Sequence, residues 1–148
     1  MIRGLAVAAA FAAISLSPTA ATAQMKVGLI SSSTGPISVV GIPQKNTAAL
    51  LPQKIGDLSV EYIVLDDASD PTQTAQAVKK LLTDNVDAII GPSGSPNAMG
   101  VIGFIAEAGT PLLAPVGTAA AVLPMDDKKK WVFKTTQNDD IIAKALVD

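Results

Sequence analysis

The sequence predicts an α/β fold, a Rossmann-like parallel sheet with helices on both faces. Two observations predict it. Short apolar runs of strand type alternate along the chain with longer segments of helical periodicity. Apolar runs are followed by loops rich in glycine, hydroxyl or carboxylate side chains and then by helical patterns. That order builds βαβ units with right-handed crossovers.

Five apolar runs are expected to form strands, and the helical patterns lie between and after them. The predicted strands cover residues 26–31, 59–65, 86–90, 111–114 and 131–134. The predicted helices cover residues 41–51, a segment beginning at 71, residues 97–108 and residues 138–147, with a short helical turn at 117–123. Asp70 is expected to cap the helix that starts at Pro71, because both residue types are favoured at these positions.

The first 23 residues are predicted to be a cleaved signal peptide. Arg3 precedes an apolar run at 5–16, and Ala21-Thr22-Ala23 offers the small residues that a signal peptidase needs. The run is shorter than the roughly 20 residues that span a bilayer. Because the chain has no cysteine, a lipid anchor cannot form after the run. We therefore expect export to the periplasm without a lipid anchor.

Composition excludes several classes of function. After removal of residues 1–23 the chain is acidic, because Arg3, its only arginine, leaves with the signal while all 13 acidic residues remain. Acidity and an aromatic content of 3% argue against a nucleic-acid groove. Since the sequence contains no histidine and no cysteine, it cannot form a Ser-His-Asp triad, a Cys-His pair or an imidazole metal site. We expect no cofactor and no enzymatic activity.

Candidate binding residues lie in three loops that follow predicted strands. The loops begin at Ser31, Ser93 and Val116 and are rich in glycine and hydroxyl groups. Ligands of parallel sheets bind at this edge, and the first N–H groups of a helix attract an anion. One hypothesis is a carboxylate site formed by Ser95, Thr118 and nearby amides. The alternative is that these residues only cap helices and form turns.

One carboxylate cluster, at residues 66–70, has two interpretations. Its aspartates could hold a hard cation through oxygen ligands. However, the cluster lacks the glycine and the later glutamate of an EF-hand loop, and it lies where a strand ends and a helix begins. We therefore interpret these carboxylates as capping and solvated groups. Asp139 and Asp140 have the same interpretation, in the first turn of a predicted helix.

Several short motifs follow one another in a characteristic order. They are Thr34-Gly35-Pro36 with Gly41, D-D-A-S-D-P at 66–71, V-D-A-I-I-G-P-S-G-S at 86–95, E-A-G-T-P-L-L-A-P at 107–115 and V-F-K-T-T at 132–136. With these motifs in this order, the chain resembles the type I periplasmic binding proteins of the branched-chain amino acid (Leu/Ile/Val) class. The resemblance implies two Rossmann-like lobes that close over a small ligand, of which this chain holds the N-terminal lobe.

The resemblance also implies roles for individual residues. In that family a serine of the loop after the Gly-Pro pair holds the ligand's carboxylate, and this position is Ser95, with Ser93 as a lesser candidate. A carbonyl and a threonine of the next loop are implied at Val116 and Thr118. A bulky residue often lies over the ligand before Gly41, where this chain has Val40.

The implied function is solute binding for an ABC importer. The ligand would be an amino acid or a similar small carboxylate, and the partner an ABC permease in the inner membrane. We expect a signal peptide at 1–23, a ligand-binding lobe at 24–135 and the start of a crossover to a missing second lobe at 136–148, so that the chain is a truncated form. The alternative is an extracytoplasmic sensory domain with the same fold.

Overall fold

The computed structural model of the protein describes residues 24–147, so the predicted signal peptide at 1–23 lies outside the described residues. Its strands are β1 (Gln24–Ser31), β2 (Lys54–Ile55), β3 (Leu58–Asp66), β4 (Ala88–Ile90), β5 (Leu112–Ala114) and β6 (Val132–Lys134). Its α-helices are α1 (Ser38–Ala48), α2 (Pro71–Thr83), α3 (Ser95–Ala108) and α4 (Asp139–Val147), and a 3-10 turn covers Ala119–Ala121.

The strands form one sheet in the order β2-β3-β1-β4-β5-β6. β1 lies near its centre, where Val27 pairs with Tyr62 of β3 on one side and with Ala88 of β4 on the other. All neighbouring strands are parallel except β2, which pairs antiparallel with β3. The predicted fold class is therefore confirmed, with one short antiparallel strand at the edge.

One face of the sheet is covered by α2 and α3. Side chains alternate along each strand, so Ile30, Ile89 and Leu112 point to the same face. They form a continuous core with Leu81 of α2 and Ile105 of α3, and all five are at most 2% exposed. Burying each such side chain stabilises the fold by about 1.5–3 kcal/mol. This face holds the chain together.

The opposite face of the sheet is only partly covered. We call it the open face and define it by Leu29, Val64, Ile90, Leu113 and Phe133, which occupy the alternate positions of β1, β3, β4, β5 and β6. Val64 is 40% exposed and Phe133 52% exposed. Helix α1 lies over part of this face, and between them is a cavity of about 230 Å³ with mostly apolar walls.

Helix α4 lies apart from the core. All its residues, Asp139–Val147, are exposed, including Ile141 and Leu146. It is joined to the loop after β5 by the Asp139 N–H, which donates to the carbonyl of Gly117 at 3.1 Å. The described chain thus presents two uncovered apolar surfaces, the open face and α4.

Several element bounds differ from the prediction, among them those of α1, β2 and α3. Helix α1 begins at Ser38, three residues early, and continues through Pro43. Because proline has no N–H, the carbonyl of Val39 lacks its helical hydrogen bond. Val39 is 80% exposed, so water can donate to this carbonyl instead. Strand β2 was not predicted, because its two residues are exposed and form no apolar run. Helix α3 begins at Ser95, two residues early.

Candidate functional site

The candidate site lies where the parallel strands end. Loops leave β1, β3, β4 and β5 at this edge, the position at which parallel α/β sheets bind ligands. Ser95 follows β4 and Thr118 follows β5, and these two strands are neighbours in the sheet. The structure therefore places the two hydroxyl groups that the sequence singled out at the ends of adjacent strands.

Ser95 is the first residue of α3 rather than its cap. The N-cap residue is Gly94, and no described side chain accepts a hydrogen bond from the first turn of the helix. The Ser95 side chain is half-buried, and its hydroxyl has no hydrogen-bond partner among residues 24–147. The start of α3 therefore combines a free hydroxyl with backbone N–H groups that the helix itself leaves unpaired.

Thr118 caps the 3-10 turn that follows β5. Its Oγ1 accepts a hydrogen bond from the N–H of Ala120 at 3.3 Å, as the capping interpretation expects. The hydroxyl still has its own proton to donate, because accepting one hydrogen bond does not use it. Capping and ligand binding are thus compatible at Thr118, whereas at Ser95 the capping interpretation does not apply.

Val116 is buried, and only its backbone could reach a ligand. Its carbonyl already accepts a hydrogen bond from the hydroxyl of Thr136 at 2.8 Å. A carbonyl oxygen has a second lone pair, which stays available. Asp139 lies against the next residue, since a Cβ added to Gly117 would be 1.8 Å from an Asp139 carboxylate oxygen. The segment after β6 thus shapes this loop, which the sequence did not indicate.

Ser93 has a structural role in the loop after β4. Its Oγ accepts from the N–H of Ser32 at 3.0 Å and donates to the side-chain oxygen of Gln44. The hydroxyl thereby links the loops after β1 and β4 to α1, and its proton is already donated. Val40, the other lesser candidate, lies on α1 and is 47% exposed.

The two adjacent aspartates at the end of β3 hold the loop after β1. Asp66 accepts hydrogen bonds from the hydroxyl and N–H of Thr34 and from the N–H of Ala68. Burial acts to raise the pKa of Asp66, but these donors, together with Ser33, favour the charged form and lower its pKa below the ordinary value. Asp66 is therefore an anion that fixes Thr34.

Asp67 is fully buried, so the interpretation of this cluster as solvated is wrong at that position. Its Oδ1 accepts from the hydroxyl of Ser32 at 2.6 Å and from the N–H of Ser69 at 3.0 Å. Its Oδ2 accepts from the hydroxyl of Thr74 at 2.8 Å and from the amide of Asn97 at 3.0 Å. We call these five residues the Asp67 network.

The capping prediction for Asp70 is confirmed. Its Oδ1 accepts from the N–H of Gln73 at 2.9 Å, and Pro71 follows as the first helical residue. Among residues 24–147 there is no group of three carboxylate or other ligating side chains that could hold a metal ion. Within the same residues no helix is long and apolar enough to cross a membrane.

Comparison with protein families shows what this chain is similar to. The family described as "Periplasmic binding protein" matches residues 24–148. A curated relative, the Leu/Ile/Val-binding protein BraC3 of Rhizobium johnstonii, is 34% identical over 105 residues, which cover 67% of this chain and 29% of the relative. Leu/Ile/Val-binding protein homolog 3 of Brucella melitensis is 28% identical over 145 residues, covering 94% of this chain and 39% of the relative.

Solved structures show the same arrangement of elements. An extracellular ligand-binding receptor from Rhodopseudomonas palustris HaA2 superimposes with a TM-score of 0.81 and 46% sequence identity. The match covers 84% of this chain and 35% of the receptor chain. The chain thus spans about a third of the length of the relatives it matches.

Proposed function

We propose that this chain, which belongs to the periplasmic binding protein family, is the ligand-binding first lobe of an ABC-importer component. The proposed ligand is a branched-chain amino acid or a similar small carboxylate. The type I periplasmic binding protein fold and the correspondence to an N-terminal lobe, both predicted from the motifs, are confirmed by the relatives and the sheet topology. Members of this family bind solutes.

The start of α3 is the observation that supports this ligand class best. A helix N-terminus has a partial positive charge of roughly half a unit and unpaired N–H donors, so it favours an anion. Here no described side chain caps that end, and the unpartnered Ser95 hydroxyl adds a donor. The hydroxyl of Thr118, on the neighbouring loop, is a second side-chain donor, because its role as a cap does not use its proton. Together these groups suit a carboxylate.

Ser95→Ala is expected to weaken binding by about ten- to a hundredfold, because a hydrogen bond to a charged group is worth about 1.5–3 kcal/mol. Isothermal titration calorimetry with leucine, isoleucine, valine and benzoate would measure it, using protein purified from the periplasm of cells that produce it. Thr72→Ala is the matched control, since Thr72 is an exposed hydroxyl residue in the first turn of α2. Unchanged affinity in Ser95→Ala would contradict the carboxylate site, and no binding of any panel member would contradict the ligand class.

A second lobe is part of the proposal. The segments shared with this chain make up only 29% and 39% of the two curated relatives. The open face and the exposed helix α4 support the same inference, because monomeric proteins rarely leave large apolar areas in water. We propose that residues 136–148 lead toward that lobe, that the site closes between the lobes, and that residues 1–23 direct export to the periplasm.

The open face makes the isolated chain prone to self-association. We expect residues 24–148 alone to associate as concentration rises, and Phe133→Lys to reduce association by placing a charge on the open face. Analytical ultracentrifugation over a concentration series measures the effect. Met125→Lys is the control, because Met125 is exposed in the segment between the 3-10 turn and β6, outside the open face. A monomer that melts cooperatively and reversibly would contradict the expectation.

A sensory role is the second candidate. The Rhodopseudomonas palustris relative is described as an extracellular ligand-binding receptor, which favours ligand recognition without specifying transport. Neighbouring genes discriminate the two candidates: a permease and an ATPase indicate import, whereas a kinase or chemoreceptor module indicates sensing. Both candidates use the same edge of the sheet for the ligand.

A further inference from the structure

We propose that Asp67 is a positioning residue of this site, because its buried carboxylate joins the loop after β1 to the first turn of α3. The inference rests on the proposed function for the identity of that edge. Asp67 does not contact the ligand in this proposal. It acts through Ser32 in the loop after β1 and through Asn97 in the first turn of α3.

The Asp67 network joins four separate segments of the chain. Ser32 donates from the loop after β1, Ser69 from the loop after β3, Thr74 from α2 and Asn97 from α3. Every side chain that donates to the carboxylate is at most 3% exposed. Hydrogen bonds screened from water are stronger, and an unpaired member is costly, so such a network tolerates few alternative arrangements. The loops are thereby held in one relative position.

A carboxylate is the group that these donors require. Two of the four donors, the Ser69 backbone N–H and the Asn97 amide as oriented, cannot accept a hydrogen bond in return. An ionised carboxylate only accepts, whereas an asparagine would direct its own amide hydrogens at one of these donors. The residue type at position 67 is therefore specific to this arrangement, although asparagine has nearly the same shape.

The connection from Asp67 to the candidate ligand residue is short. Asn97 is buried and lies two residues after Ser95, within the same helical turn. The other amide hydrogen of Asn97 is donated to the Thr74 hydroxyl at 2.7 Å, so both of its donors are in use. Its oxygen lies against the N-cap residue, because a Cβ added to Gly94 would be 2.7 Å from it. Displacement of Asn97 therefore moves the uncapped start of α3.

The loop after β1 is held at the same point. The Ser32 hydroxyl donates to Asp67, while its N–H donates to Ser93 Oγ at 3.0 Å. Ser32 thus touches both the Asp67 network and the loop after β4, which leads to Ser95. Asp67 is therefore connected to residues 93–97 by two routes, one through Asn97 and one through Ser32 and Ser93.

Asp67→Asn tests the proposal, with Asn97→Asp in the same chain as the compensating change. The double variant keeps one carboxylate and one amide in the network with their positions exchanged, so the amide introduced at position 67 can donate to the carboxylate introduced at position 97. Asp67→Asn alone is expected to weaken leucine binding about tenfold, which corresponds to the loss of one hydrogen bond. The double variant is expected to recover most of the lost affinity. Asp70→Asn is the matched control, because it makes the same chemical change in an exposed cap.

A double-mutant cycle with Ser95→Ala separates positioning from general stabilisation. If Asp67 acts through the start of α3, Asp67→Asn has little further effect once the Ser95 hydroxyl is absent, so the two losses are not additive. Affinities are measured well below the melting temperature of every variant. Additive losses would overturn the proposal while leaving a binding role for Ser95 intact.

Amide ¹H–¹⁵N spectra test the proposal independently of any ligand. In Asp67→Asn the amide signals of residues 32–34 and of Ser95, Asn97 and Ala98 are expected to shift, and the double variant is expected to restore them. Shifts confined to residues 67–74 would overturn the proposal. If the spectra change as expected and no panel ligand binds the unsubstituted protein, then the proposed ligand class fails and the positioning role stands.

Discussion

Gly91→Ala is expected to lower the free energy of unfolding by about 3 kcal/mol or more, through backbone strain and atomic overlap acting together. Gly91 directly follows β4 and has a φ of 111°, a backbone conformation that residues with a Cβ rarely adopt. A Cβ at this position would also lie 2.0 Å from the carbonyl oxygen of Ile30 on the neighbouring strand. The carbonyl oxygen belongs to the backbone of β1, and a Cβ is fixed directly to the backbone of residue 91, so neither atom can move aside cheaply.

Gly56→Ala separates the two contributions. Gly56 also has a positive φ, of 60°, but no described atom lies within 4 Å of the position its Cβ would take. Its substitution is expected to cost about 1–2 kcal/mol, the effect of a left-handed conformation alone. Urea denaturation of both variants measures the difference. Equal losses would mean that the contact with Ile30 relaxes freely and that only the dihedral angle matters.

Gly91 also determines where the candidate site begins. The chain leaves β4 at this residue and reaches the free hydroxyl of Ser95 four residues later. A shift of the strand end displaces Ser93, whose hydroxyl joins this loop to α1. We therefore expect Gly91→Ala to reduce ligand affinity as well as stability. Gly56→Ala should leave affinity unchanged, because Gly56 joins β2 to the amino end of β3, away from the carboxyl ends of the strands.

The predictable part of the fold is the part that depends on local periodicity. The central strands and α2, α3 and α4 were found because apolar positions recur at the spacing of each element. The cap at Asp70 is also predictable from local sequence, because it depends only on the residue types of Asp70 and of Pro71 after it. Strand β2 has no such pattern, and only its pairing with β3 identifies it.

The role of Asp67 could not be predicted, because it depends on residues distant in sequence. Ser32 and Asn97 lie 35 and 30 positions away from Asp67, and each supplies one donor. In the sequence, Asp66 and Asp67 are equivalent members of an acidic run at a strand end. In the structure Asp66 is exposed at the last position of β3, whereas Asp67 is buried and accepts hydrogen bonds from Thr74 of α2 and Asn97 of α3.

For the candidate ligand residues, too, the position was predictable from the sequence and the hydrogen bonding was not. The position of Ser95 at a strand end followed from the βα pattern, but its freedom from capping depends on a helix that starts two residues earlier than predicted. Ser93 was a candidate of the same type in the same loop. Its hydroxyl is used by Gln44, which lies 49 residues away on α1. Residue type and loop position therefore do not distinguish a binding serine from a structural one.

Gly41→Ala is expected to destabilise the protein by about 2–3 kcal/mol, although alanine is the better helix former by about 1 kcal/mol. Gly41 is the buried residue of α1, and it packs directly on the loop after β1. A Cβ there would lie 2.1 Å from the carbonyl oxygen of Ser32 and 2.8 Å from the N–H nitrogen of Ser33. The helix must move away from the sheet to make room.

Gly100→Ala provides the matched control within a helix. Gly100 is exposed in the middle of α3, and no described atom lies within 4 Å of its Cβ position, so the gain in helix propensity is not opposed. We expect this variant to be more stable by up to about 1 kcal/mol. Thermal and urea denaturation of both variants should therefore give changes of opposite sign. Stabilisation by both substitutions would show that α1 is not held against Ser32.

The consequence of Gly41→Ala for the site follows from what α1 holds. Helix α1 contributes Gln44 to the hydrogen bond with Ser93, and it covers part of the open face beside Leu29 and Ile90. Movement of the helix by about an ångström breaks the first contact and enlarges the uncovered apolar area. The variant is therefore expected to bind leucine more weakly and to associate at lower concentration than the unsubstituted chain. Gly100→Ala should change neither property, because α3 keeps its contacts with α2 and its uncapped start.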